Sequence, residues 1–206
     1  MGIFWLVFYI VIWGIVHSFL ASLQVKVFIC RIFGPAIMRV YRLAYNVFAV
    51  FTFLPVLVIA GLAPDRRLYT VPLPWSGLMV LGELLAVVVL LVGIVQTGAL
   101  EFVGIEQLIG AGEKAPVKLV TNGLYRYVRH PLYSAGMVFI WLAPLMTVNL
   151  LTINIAASLY LIIGAVFEER KLQRQYGQAY ADYKAVTPMF IPFLKGLPAT
   201  KEHQGL

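Results

Sequence analysis

The chain has 206 residues, of which 61% are hydrophobic and only 12% charged, and its mean hydropathy is +0.88. A soluble domain carries about a quarter charged residues, so the composition argues against a water-soluble fold and for an integral membrane protein. The net charge of +7 could suggest nucleic acid, but the basic residues lie only between apolar runs and in the tail, so no nucleic-acid partner is expected.

Taken in order, Ile3 to about Leu23 reads as a first span, interrupted only by His17, Ser18 and Ser22. Tyr41–Leu62 reads as a second, with Pro55 tolerated as a kink. Trp75 to about Thr97 is the third, with Trp75 as an interfacial anchor. Pro131–Met146 and Leu150–Phe167 read as a tight hairpin of two further spans. Open strands would leave unpaired edges in lipid, so helices are the default. The expectation is an all-α integral membrane fold of about five transmembrane helices, closing on a C-terminal helical hairpin. One domain is expected over 1–206, with a three-helix part at 1–97, a core at 98–196 and a tail at 197–206. Cys30 stands alone, which excludes an internal disulfide, and no zinc-like Cys/His spacing or phosphate-binding glycine loop occurs, so no metal site is expected.

Charge sets the orientation. Of the 16 Lys and Arg residues, 14 fall in segments that this topology places on one side; only Arg66 and Arg67 fall on the other. The positive-inside rule puts the larger set in the cytoplasm. The N-terminus is then outside, as also suits a retained rather than cleaved first span, and the C-terminus is inside.

Two strings carry the chemistry: Gly123-Leu-Tyr125-Arg-Tyr127-Val-Arg129-His130-Pro131-Leu-Tyr133, and Glu168-Glu169-Arg170-Lys171-Leu172 followed by Tyr176-Gly177, Tyr180 and Tyr183. A hairpin between them would bring both to one membrane face. Pro131 suits a first helical position, which places Arg129 and His130 at a helix N-terminus able to attract an anion. Arg129 could equally snorkel to lipid headgroups. Neighbouring residues on a helix point about 100° apart, so only one glutamate need face a site. The pair could also be a surface ion-pair cluster of little worth. The three tyrosines could stack on a ligand, although an interfacial belt is the commoner role for at least two of them. Intramembrane His and Asn normally face a bundle interior. His17 is therefore open to a substrate-pocket role, a base, a haem ligand or a plain interhelical hydrogen bond.

Together, Arg-His-Pro-x-Tyr, the apolar hairpin, Glu-Glu-x-x-Leu, Tyr-Gly-x-x-Tyr-x-x-Tyr and the closing Pro188-x-x-x-Pro192 resemble the isoprenylcysteine carboxyl methyltransferase family and, more broadly, phospholipid methyltransferases. The resemblance implies S-adenosylmethionine as cofactor, held by a cytosolic cap and the mouths of the last two spans. Carried over, cofactor-binding positions are Lys118, Leu119, Val120, Gly123, Tyr125, His130, Pro131, Tyr133, Glu168 and Glu169. Arg129 and Glu169 are candidate catalytic residues, Arg129 as the group orienting an anionic acceptor. His17-Ser18-x-Leu20-Ala21-Ser22 with Tyr41-Arg42-x-x-Tyr45-Asn46 is similar to a bacterial branch of NnrU-like proteins and methanethiol S-methyltransferases. This makes His17, Tyr41, Arg42 and Asn46 candidate substrate residues, and a bacterial or archaeal cell membrane the expected location. Glu101-Phe102-x-Gly104-Ile105-x-Gln107 is similar to a segment of the thiol-methylating branch. The implied partners are the lipid bilayer and a lipophilic or small-molecule acceptor, whether carboxylate, thiol or amine; oligomeric state is not implied. A haem-binding protein with His17 and Cys30 or His130 as ligands is the competing reading.

Overall fold

The computed structural model describes residues 2–98 and 119–194. These form helices α1 (Gly2–Ala21), α2 (Leu23–Phe33), α3 (Met38–Leu62), α4 (Trp75–Gln96), α5 (Pro131–Trp141), α6 (Val148–Tyr176) and α7 (Gln178–Val186), with short strands β1 (Arg67–Thr70) and β2 (Leu145–Thr147). Among the described residues, α1, α3 with its leading turn, α4 and α6 are long and apolar enough to cross a membrane. The architecture is an all-α integral membrane fold. Large apolar side chains such as Phe4, Leu62 and Val95 stay exposed, while small residues such as Ala86 and Ala165 are buried. Lipid tails are as apolar as leucine, so helices associate through close packing rather than by hiding greasy surface. Helix α1 packs on α3 and α6, and α5 lies between α4 and α6.

The expected fourth span is not a full helix. Helix α5 has 11 residues, about 16 Å at 1.5 Å per residue, against a hydrocarbon core of about 30 Å. The reason is Pro144: it lacks an N–H and forces the residue before it out of the helical region. The chain continues extended through β2, which pairs antiparallel with β1, with Thr70 opposite Leu145 and Arg67 opposite Thr147. Breaking a helix inside a membrane leaves backbone carbonyls without partners. Asn154, fully buried in α6, supplies one: its amide donates to the Ile140 carbonyl at 2.6 Å. Asn149 does the same for α3, donating to the Ala60 carbonyl at 3.1 Å. Asn149 and Asn154 thus serve the ends of other helices.

The connection after the first span is also helical. Ser22 caps α2 by accepting from the Val25 amide at 3.4 Å. Helix α6 starts at a Thr147 cap, whose hydroxyl accepts from the Leu150 amide at 3.2 Å. It runs unbroken past the glutamate pair to Tyr176 and ends where Gly177 turns to φ +55, a conformation other residues adopt only with strain.

Candidate active site

The site is framed by backbone. Residues 119–130 lead into α5 through a tight turn at Gly123–Arg126, which needs Gly123 at φ +59. The Gln96 side-chain oxygen accepts from the Leu124 amide at 3.1 Å and ties this turn to α4. The amides of Arg129 and His130 donate to the carbonyls of Pro188 (2.9 Å) and Met189 (3.1 Å). Pro131 bars the residue before it from the helical region, and His130, at φ −125 and ψ 65, stays outside the helix and pairs with the segment after α7. These two amides therefore hold the C-terminal segment rather than an incoming anion.

Behind the frame is a buried charge network. Arg129 donates through Nε to Glu169 Oε1 at 2.7 Å, and its Nη2 lies 2.5 Å from the same oxygen. Its Nη1 reaches the Lys184 carbonyl at 3.3 Å and the Thr187 carbonyl. Lys184 Nζ meets Glu169 Oε2 at 2.8 Å. Arg129 and Glu169 are 7% and 6% exposed, so this is an interior lock, not a surface ion pair. His130 sits between the two acids, Nδ1 3.6 Å from Glu168 Oε2 and Nε2 3.5 Å from Glu169 Oε1. Its ring stacks on Tyr133 at 5.3 Å, and the Tyr133 hydroxyl donates to Glu168 Oε2 at 2.9 Å.

A cavity of about 520 Å3 opens beside this lock. Glu168 lines it and Glu169 does not, so the 100° step between neighbours separates their surroundings as expected. Leu119, Val120, Tyr125, Arg129, His130, Pro131 and Tyr133 also line it. Gly123 lies outside the lining and serves the turn; Lys118 lies outside the described residues, as does the stretch from Glu101 to Gln107. The opposite wall is α3, with the candidate substrate residues Tyr41, Arg42 and Asn46, plus Tyr45 and, from α2, Lys26. Tyr176, Tyr180 and Tyr183 line the cavity too, so the belt reading of two of them is corrected. Tyr180 is 1% exposed; burial, then the Glu169 carboxylate, pushes its phenol up to about 12. Burial and Glu168 do the same for Tyr125, to about 12. Tyr183 donates to the Tyr125 carbonyl at 2.6 Å. Burial lowers the Lys26 ammonium, and the cations Lys171 and Arg42 add to this.

His17 is absent from the lining but touches it through one bond: its Nε2 lies 2.5 Å from the Tyr45 hydroxyl. The sequence held a signal for Tyr45, which falls one helical turn after Tyr41 and Arg42 and shares their face. It held none for the Lys184 and Thr187 carbonyls, because backbone acceptors carry no residue preference. A second, apolar hollow of about 820 Å3 lies between α4 and α5, and Pro131 borders both spaces.

Apolar spanning helices around a cavity lined by tyrosines, aliphatic side chains, Glu168 and a few basic groups define an integral-membrane protein. A family model described as phospholipid methyltransferase matches residues 77–179, half of the chain, and the chain belongs to that family. It is also similar to the methanethiol S-methyltransferases of Crocosphaera subtropica (37% identical over 40% of this chain and 32% of the relative), Pseudomonas deceptionensis (32%, over 50% and 40%) and Mycobacterium tuberculosis (39%, over 34% and 29%). The matched stretch spans about a third of the length of these relatives. No solved structure matches the chain.

Proposed function

We propose that the protein is a membrane methyltransferase that moves a methyl group from S-adenosylmethionine to a small thiol. The observation that carries this reading is a single cavity bounded on one side by Glu168, His130 and Tyr133, and on the other by Tyr41, Arg42 and Tyr45. Donor and acceptor residues therefore share one space. Family membership supports the reaction, and the names of the relatives support a thiol over a carboxylate or amine.

The residues present fit the cofactor. The cavity volume lies within the range of small-molecule sites, about 300–1,000 Å3. On this reading Glu168 would hold ribose hydroxyls or an ammonium, Tyr125, Tyr176 and Tyr183 a purine, and Lys26 a carboxylate. When bound, the cofactor supplies a methyl group on a positively charged sulfur. The protein's share is positioning, which can contribute about 7–11 kcal/mol to lowering a barrier. On this reading Arg129 and Glu169 act as a positioning pair, because all three guanidinium nitrogens already have partners. We further propose that the cavity faces the cytosol of a bacterial or archaeal cell, following the 14 basic residues on that side. A lipophilic acceptor would come from the bilayer through the hollow between α4 and α5.

Calorimetry on detergent-purified protein tests this. Saturable binding of S-adenosylmethionine and S-adenosylhomocysteine is expected, weakened at least about tenfold in Glu168→Gln, the loss of one hydrogen bond to a charged group. No binding by well-folded wild type, above all with a Soret band, would overturn the reading in favour of haem. The bond from His17 Nε2 to Tyr45 and the Trp13 ring stacked 4.7 Å away stand against a haem ligand there.

A further inference from the structure

Four side chains outside the charge lock form a separate device at the far wall. His17 of α1 lies inside a ring of aromatics: Trp13 stacked at 4.7 Å and 15°, Tyr45 at 4.7 Å, and Tyr160 of α6 edge-on at 6.0 Å. No carboxylate or cation is among the described groups in contact with it. Its Nε2 meets the Tyr45 hydroxyl at 2.5 Å, and its Nδ1 is buried without a hydrogen-bond partner among the described residues. Tyr45 faces the cavity while His17 stays behind it. A polar ring held in a membrane helix with one strong bond and one unsatisfied nitrogen is costly as pure architecture. A plain interhelical bond would be served as well by a serine or asparagine, without the aromatic enclosure.

We infer that Tyr45 and His17 form a proton-accepting dyad that deprotonates the acceptor. The inference rests on the reading of the site as a thiol methyltransferase. A neutral thiol is a poor nucleophile and its thiolate a strong one. The acceptor's S–H bond breaks, its proton goes to the Tyr45 oxygen, and the Tyr45 proton passes to His17 Nε2. The products are a thiolate in the cavity and an imidazolium behind it. The thiolate sulfur forms the new bond to the methyl carbon, and the pair from the broken carbon–sulfur bond stays with the departing sulfur. The imidazolium then returns its proton through Tyr45 to water. The aromatic ring explains how a cation is tolerated there, since Trp and Tyr faces attract cations most strongly when water is excluded. Tyr45 is the residue that touches the acceptor; His17 acts through it.

The test compares two thiols in wild type, Tyr45→Phe and His17→Gln, using purified protein with S-adenosylmethionine. An alkanethiol must lose a proton at neutral pH, whereas thiophenol is largely ionised. Both variants should slow alkanethiol methylation by about 100-fold or more, the usual share of a general base, and thiophenol methylation by less than about fivefold. S-adenosylhomocysteine binding, measured by calorimetry, should stay within about twofold of wild type, which shows the variants folded and the cofactor pocket intact. Nitrogen-15 spectra of labelled histidine, without ligand, should show the His17 Nε2 signal moving in Tyr45→Phe. Equal losses on both thiols, no loss on either, or an unmoved His17 signal would each overturn the dyad. Absence of cofactor binding and of methylation in wild type would instead overturn the methyltransferase reading beneath it, and the spectra would still judge the hydrogen bond itself.

Discussion

The two walls of the cavity hold their polar groups by opposite means. On the C-terminal wall every charge has a counterpart: Arg129 with Glu169, Glu169 with Lys184, Glu168 with Tyr133 and His130. On the N-terminal wall Lys26 faces the cations Lys171 and Arg42, and His17 has a phenol and aromatic faces. Paired buried charges make a rigid wall, since no member can move without stranding another. The buried His17 Nδ1, with no hydrogen-bond partner among the described residues, leaves this wall capacity for something else. The difference separates a wall that holds shape from one that meets a ligand.

The comparison predicts its own largest effect. Arg129→Ala or Glu169→Ala leaves a buried charge without its partner, which typically costs about 3–5 kcal/mol. Thermal unfolding followed by tryptophan fluorescence should show a steep loss of stability in either variant. Glu169→Gln, which keeps the shape and some hydrogen bonding, should lose less. A comparable loss in Tyr45→Phe would erase the distinction between the walls.

A middle-sized effect belongs to the edge of the paired wall. The Tyr183 hydroxyl holds the Tyr125 carbonyl at 2.6 Å, tying α7 to the turn before α5. Tyr183→Phe removes one hydrogen bond, about 0.5–1.5 kcal/mol. Thermal unfolding should show a loss smaller than that of Arg129→Ala, and calorimetry weaker S-adenosylhomocysteine binding. Unchanged binding would mean that the turn is held by Gln96 alone.

Much of this was legible in the chain. Pro131 announced a helix start, and the adjacent glutamates announced two different surroundings. What escaped has physical reasons. Pro144 shortens α5, but a run of apolar residues reads as a full span when hydropathy outweighs a single proline. The Lys184 and Thr187 carbonyls that bind Arg129 are backbone groups, and every residue has one. Tyr45 and His17 are 28 residues apart, and only the packing of α1 on α3 makes them neighbours. The tyrosines after Glu169 suited an interface as well as a pocket until the chain bent back through Pro188 and Met189.

The smallest effect probes the open wall directly. Burial and two neighbouring cations lower Lys26 from its ordinary value of 10.5. The unfolded chain therefore keeps this proton more tightly than the folded one, and stability rises with pH between the lowered value and 10.5. Below that window the full penalty of a partly buried and repelled ammonium persists. Lys26→Gln removes it, so the variant should unfold at a slightly higher temperature than wild type at neutral pH. The gain should be well under about 1 kcal/mol, since Lys26 is partly exposed and solvent screens the repulsion. The gap should narrow as pH climbs through the window and close above 10.5. Raising the salt concentration should narrow it as well. The same variant should bind S-adenosylhomocysteine more weakly if Lys26 takes the carboxylate, so that stability and affinity move in opposite directions. On the paired wall, Arg129→Ala lowers both together. A Lys26→Gln protein that lost stability at neutral pH would show the ammonium to be paired after all, and the two walls to be built alike.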